Sequence, residues 1–163
     1  MAVKTEEAKS FAHFTLHRQD LQFALDMLDL ISKQPGECTR IQVGLWRSAV
    51  IHYAKCFGYS EVRGRLSAPE IFKDFPDAMP CHKYFLQLRH KHIAHDQNAY
   101  SQALPGAIIN GPAEFYKVAK IVSTAFHVES LNPDDYKNLF NLVRRAIQYT
   151  AYGHMGVANR NFG

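Results

Sequence analysis

The 163-residue chain is poor in the features that would settle its class at once. It has three cysteines, Cys38, Cys56 and Cys81, odd in number, widely spaced and without a C-x-x-C pair, which argues against a disulfide framework or a zinc knuckle. No apolar run approaches the roughly 20 residues that span a bilayer. Met1 to Glu7 carries acids and no apolar core, so no secretory signal is expected there. These absences predict a cytoplasmic protein in a reducing compartment, with no membrane partner. Charge is also modest: the net value is +4 with a pI near 9.0, which permits attraction to a polyphosphate without demonstrating it.

Apolar residues make up 47% and charged residues 21% of the chain, so it can bury a core, and its length predicts one domain over 1–163. From Thr15 to about Lys33, Leu16, Leu21, Phe23, Ala24, Met27, Leu28 and Ile31 recur at helical spacing until Gln34-Pro35-Gly36. A second helix is expected from about Thr39 to Phe57, stopped by Gly58, with Trp46, Val50, Tyr53 and Phe57 as a core stripe. Residues 58–78 read as a loop with at most a short helical turn from Glu70 to Lys73. A third helix is expected from about Pro80 to Asp96. Ala107-Ile108-Ile109, the turn Asn110-Gly111-Pro112 and the β-branched run Tyr116 to Ala125 predict a small hairpin, spanning about 106–126. Asn132-Pro133-Asp134-Asp135 starts a last helix, expected to reach about Tyr152 before Gly153 and Gly156. The fold class is therefore mainly α: an up-and-down four-helix-type bundle with a small β-hairpin insertion before the last helix.

What stands out is histidine. The chain has nine, and His82, His90, His92 and His95 fall within one short stretch beside Lys83, Arg89 and Lys91. Arginine offers a planar fork of donors suited to phosphate, and an imidazole with an ordinary pKa near 6.5 exchanges protons at neutral pH. With these parts a base can take the ribose 2′-hydroxyl proton, the oxygen can attack the adjacent phosphorus, and a cation can stabilise the charge on the phosphoryl oxygens, with no metal required.

An Arg followed by a polar residue and then, four to six residues after the Arg, by a His at a helix end resembles the motif of the HEPN superfamily. Here these are Arg89, His90 and His95. The flanks Tyr84-Phe85-Leu86-Gln87-Leu88 and Ile93-Ala94-His95-Asp96, with Trp46 to Phe57 on the preceding helix, are similar to its abortive-infection branch. The resemblance covers about 15–150, and the segment 89–96 is its specific part. It implies a helical homodimer in which two Arg and His pairs share a cleft, and an RNA-cleaving, metal-independent endoribonuclease that needs no cofactor. It also implies the toxin or effector of a defence system, with an antitoxin or another protein as partner. Arg89 and His95 would be the catalytic pair and His90 their polar supporter. Many relatives carry Asn where this chain has His90, and His92 is an added imidazole, so the division of labour among the three histidines stays open. The superfamily also holds non-catalytic modules, so a dimer that binds RNA or protein without cleaving it is the alternative.

On an ideal α-helix Arg89 and His95 are roughly 120° apart around the axis and about 9 Å apart along it, so one regular helix does not focus both on one phosphate. A bend after Ile93, or a second copy across a two-fold axis, would resolve this. Other residues have plainer readings. Arg47, Lys55, Arg63 and Arg65 could extend a phosphate-binding surface toward the motif but read more simply as a solvated face, as do Arg144 and Arg145, and Cys56 and Cys81 read as small buried or half-buried side chains. A metal set of His82, His92 and His95, with Asp96 or Cys81, lacks an evident completing ligand. Asp96 more simply orients a neighbouring His or closes the helix.

Overall fold

The fold is known from a computed structural model, which describes residues 6–34, 39–61, 63–93, 101–112, 115, 117–127 and 131–159, with 6, 7, 92, 93, 101, 102, 125–127 and 152–159 described by backbone alone. The architecture is mainly helical with a two-stranded antiparallel hairpin before the last helix. Helix α1 spans Glu6–Ser32, α2 Arg40–Lys55, α3 Ala68–Ile71 and α4 Ala78–Leu88. A π-helical turn, Arg89–Ile93, continues from α4, and strands β1 (Ser101–Ile109) and β2 (Val118–His127) precede α5 (Pro133–Asn159).

Helix α1 begins nine residues earlier than its periodicity predicts. Its added turns are held partly by Phe14, which packs on the core and lies 6.4 Å from Tyr149 between ring centroids. Helix α2 starts at a capping box: the Thr39 hydroxyl accepts from Gln42 N–H, while Gln42 Oε1 accepts from Thr39 N–H. The short turn expected at Glu70–Lys73 forms two residues earlier, as α3, and Tyr149 donates to Glu70 at 2.7 Å to tie it to α5. Helix α5 opens as expected, with Asn132 Oδ1 accepting from Asp134 N–H. It runs on past Gly153 and Gly156 to Asn159, because a helical glycine costs only about 1 kcal/mol and does not block the backbone hydrogen bond.

The core lies where α1, α2, α4 and α5 meet. Leu21 and Leu28 of α1, Val50 and Tyr53 of α2, Phe85 of α4, and Leu139 and Val143 of α5 are fully buried. The stripe expected as core packing is core: Phe57 is buried too, and the partly buried Trp46 meets Phe85 edge-on at 6.0 Å. Helix α1 packs on α2 and α5, and α4 packs on α2 and α5.

The hairpin is longer than its sequence signal. Its strands pair from Ser101 opposite His127 to Ile109 opposite Val118, with Ala119 left over as a bulge between Lys120 and Val118. Asn110 N–H donates to the Lys117 carbonyl at 3.1 Å and closes the loop side of the ladder.

Candidate functional site

The site is built on the far end of α4, and the near part of that helix is locked to the core. His82 is buried among the rings of Phe57 (4.6 Å between centroids), Phe72 (5.6 Å) and Tyr53 (5.9 Å). Its Nδ1 shares a 2.7 Å hydrogen bond with the Tyr53 hydroxyl. Burial, helped by the Lys83 charge, pushes the imidazole down to about 4, so it is neutral at physiological pH. Three residues on, Phe85 is fully buried against Trp46, Tyr53 and Tyr84. Tyr84 also donates to Asp135 at the start of α5. One face of α4 is thus fixed by aromatic contacts with α2 and by a hydrogen bond to α5.

The α geometry ends at Leu88, short of the Asp96 expected from sequence. Arg89 still donates its backbone N–H to the carbonyls of Phe85 and Leu86, and then the chain widens into the π turn Arg89–Ile93, which packs on α2. Extra-wide turns of this kind recur at functional sites. The side chains of Arg89, His90 and Lys91 are all exposed here. The 120° separation reckoned between Arg89 and His95 belongs to a regular helix, and the regular helix stops one residue before Arg89. His95, Asp96 and the side chain of His92 lie outside the described residues, as does the bend expected after Ile93. Of the four site residues expected from sequence, the structure therefore brings Arg89 and His90 together on one exposed turn, with Lys91 between His90 and the His92 backbone.

A second polar cluster was not read from the sequence. Asp20 of α1 is held by Arg63 at 2.6 Å, His52 at 2.8 Å and Lys55 at 3.1 Å. Burial raises its pKa, yet the hydrogen bonds from His52, Arg63 and Lys55 outweigh burial and leave the carboxyl below its ordinary range. Nearby, His17 Nε2 and the Gly64 carbonyl lie 2.6 Å apart, and burial lowers the His17 imidazole. Arg63 is 7% exposed, which overturns its reading as part of a solvated face, and Lys55 is engaged as well, while Arg65 is exposed as expected. The available signal was the pair of one-turn spacings, His17 with Asp20 and His52 with Lys55, on two neighbouring helices. Cys56 adjoins this cluster, but burial pushes its thiol up to about 12, so it is not a nucleophile at neutral pH. The cluster pins the 58–67 loop to α1 and α2.

At the other end of α4 a cavity of about 280 Å³ is lined by Asp74, Asp77, Cys81, Asn138 and Arg145 among others, and the Arg145 guanidinium stacks 3.0 Å over the Phe75 ring. Cys81 is half-buried there, as expected. Helix α4 is about 16 Å long, so this cavity stands apart from the Arg89 turn.

Among the described residues no cluster of three or more His, Cys, Asp or Glu could hold a metal ion, and no helix is long and apolar enough to cross a membrane. No family model matches the chain, and no curated protein or solved structure matches it.

Proposed function

We propose that this chain is a metal-independent endoribonuclease of the HEPN type. It acts as a homodimer in which the two copies of Arg89 and His95 share one RNA-binding cleft, and it serves as the toxin or effector of a defence system with an antitoxin or other protein partner. In this reading α1, α2, α4 and α5 form an up-and-down four-helix bundle. The observation that supports it is the exposure of Arg89, His90 and Lys91 together on a π turn whose helix is anchored by Phe85 and His82. A cation meant for a phosphate must reach solvent, and its backbone must be held still.

The chemistry divides as follows. His95 takes the proton from a ribose 2′-hydroxyl, and the oxygen attacks the adjacent phosphorus. Arg89 neutralises the charge that develops on the phosphoryl oxygens. The 5′-oxygen leaves with a proton from an imidazolium, so the products are a 2′,3′-cyclic phosphate and a 5′-hydroxyl. His90 supports the pair, and His92 is a further proton carrier.

The test is labelled RNA incubated in excess EDTA with wild-type, Arg89→Ala and His95→Ala proteins. Wild type is expected to yield cyclic phosphate ends, and each variant to lose at least about 100-fold in rate while keeping its circular dichroism. Full activity in His95→Ala would overturn the assignment. Binding of RNA or protein without cleavage by folded, dimeric wild type would shift the function to a non-catalytic binding module.

A further inference from the structure

The hairpin is the least explained part of the molecule. Its strands pack on each other, and among the described residues no helix packs extensively against them. From Ala103 to Ile109 and from Val118 to Thr124 every side chain is exposed except the half-buried Val122. Apolar side chains stand on both faces: Leu104 and Ile108 on one, Ile109 and Ile121, at 72% and 77% exposure, on the other. A two-stranded hairpin is marginal in water, and three or more strands with an apolar face are the usual minimum for stability.

The two outer edges differ. Pro105 lies opposite Ser123 in mid-ladder. A proline has no N–H, and in a strand it is tolerated where that group would point away from the partner strand. The outer edge of β1 is therefore interrupted at Pro105. By the alternation of an antiparallel ladder, the backbone groups of Ile121 and Ser123 then point outward along β2, an edge with all its donors in place. Lys120 is the sole Lys, Arg, Asp or Glu within the two strands. That is too little charge for the surface of a nucleic acid or an anionic membrane.

We infer that the free edge of β2 pairs antiparallel with β2 of a second copy of this chain, about a two-fold axis at Val122, to form a four-stranded sheet. In this register Val122 faces the second copy's Val122. Ser123 N–H donates to the carbonyl of the second copy's Ile121, and Lys120 lies opposite Thr124 instead of another lysine. Such an edge, about 30 Å long and about 10 Å deep, buries roughly 300 Å² per copy. That is well below the ~800 Å² of a standard interface, so the dimer is weak and concentration-dependent. The inference stands on the hairpin and not on the ribonuclease reading, although the two meet. Seven residues, 94–100, separate the π turn from β1, and a dimer joined at β2 holds two copies of Arg89.

The experiment is sedimentation of wild type and Ser123→Pro from about 1 to about 100 µM, together with air oxidation of Val122→Cys and Ala107→Cys. Proline at 123 would block the outer edge without removing a bond to β1. Directly opposed residues at Val122 would lie about 4.5 Å apart between Cα atoms, within disulfide reach. We expect a concentration-dependent wild-type dimer, a monomeric Ser123→Pro of unchanged circular dichroism, and a covalent dimer from Val122→Cys but not from Ala107→Cys. A wild type that stays monomeric, a Ser123→Pro dimer, or equal cross-linking of the two cysteine variants would overturn the inference. Should Ser123→Pro fail to fold, the cysteine pair decides alone. None of these readouts involves RNA, so a failed cleavage assay leaves them intact.

Discussion

His82 shows how much can turn on one side chain. It belongs to the same histidine-rich stretch as Arg89 and His95, yet its ring lies in an aromatic box and its Nδ1 is engaged by Tyr53. Sequence alone does not separate it from its exposed neighbours, because a helix sends successive side chains to different faces and only the packing partners show which face is buried. The consequence is acid sensitivity. The folded value near 4 lies below the ordinary value of 6.5, so between these pH values the unfolded chain binds more protons than the native one. Stability therefore falls as pH drops through that window, by about 2 kcal/mol between pH 7 and pH 5. His17, also lowered, acts in the same direction. Urea midpoints at the two pH values should show the loss, and His82→Gln should flatten it. An unchanged wild-type midpoint would contradict the burial of a neutral imidazole here.

At the scale of elements, the helices were legible and their junctions were not. The spacing of Leu21, Ala24 and Leu28, or of Val50, Tyr53 and Phe57, reports directly on burial, and these residues are buried. The loop that follows α2 carries no such period. Arg63 looks like any surface arginine until Asp20 is found beside it, since an ion pair 43 positions apart in sequence leaves no local trace. The pair dictates an asymmetry. Asp20→Ala strands Arg63 in a buried site and should cost about 3–5 kcal/mol. Lys55→Ala removes a partner that is 57% exposed and should cost less than about 1 kcal/mol. Chemical denaturation of the two variants checks this, and equal losses would mean that the cluster is not built around the buried pair. The π turn escaped notice for a related reason: counting by 100° per residue presumes the geometry that Arg89–Ile93 abandons.

For the whole molecule, a mainly helical fold and a hairpin before the last helix were readable in composition and turn residues, and the difference between the hairpin's two edges was not. Nothing in a single strand's sequence says which of its edges is free; Pro105 acquires that meaning only once its partner strand is known. The net charge of +4 bears on function at this scale too. If Arg89 and Lys91 each meet one phosphate of single-stranded RNA, log affinity should fall with log salt at a slope of about −1.4, and Arg89→Ala should reduce it to about −0.7. Filter binding across salt concentrations measures both, and a slope unaffected by Arg89→Ala would place the RNA elsewhere.

The π turn also works as a spacer. It holds about one residue more than the same length of α-helix, so by Ile93 the backbone is offset by about 100° from where a regular helix would carry it. The direction in which the backbone leaves α4 is thus set by one extra residue among Arg89, His90, Lys91, His92 and Ile93. That exit direction and the spread of the Arg89, His90 and Lys91 side chains are not independent traits: an insertion or deletion inside this pentapeptide alters both in a single step.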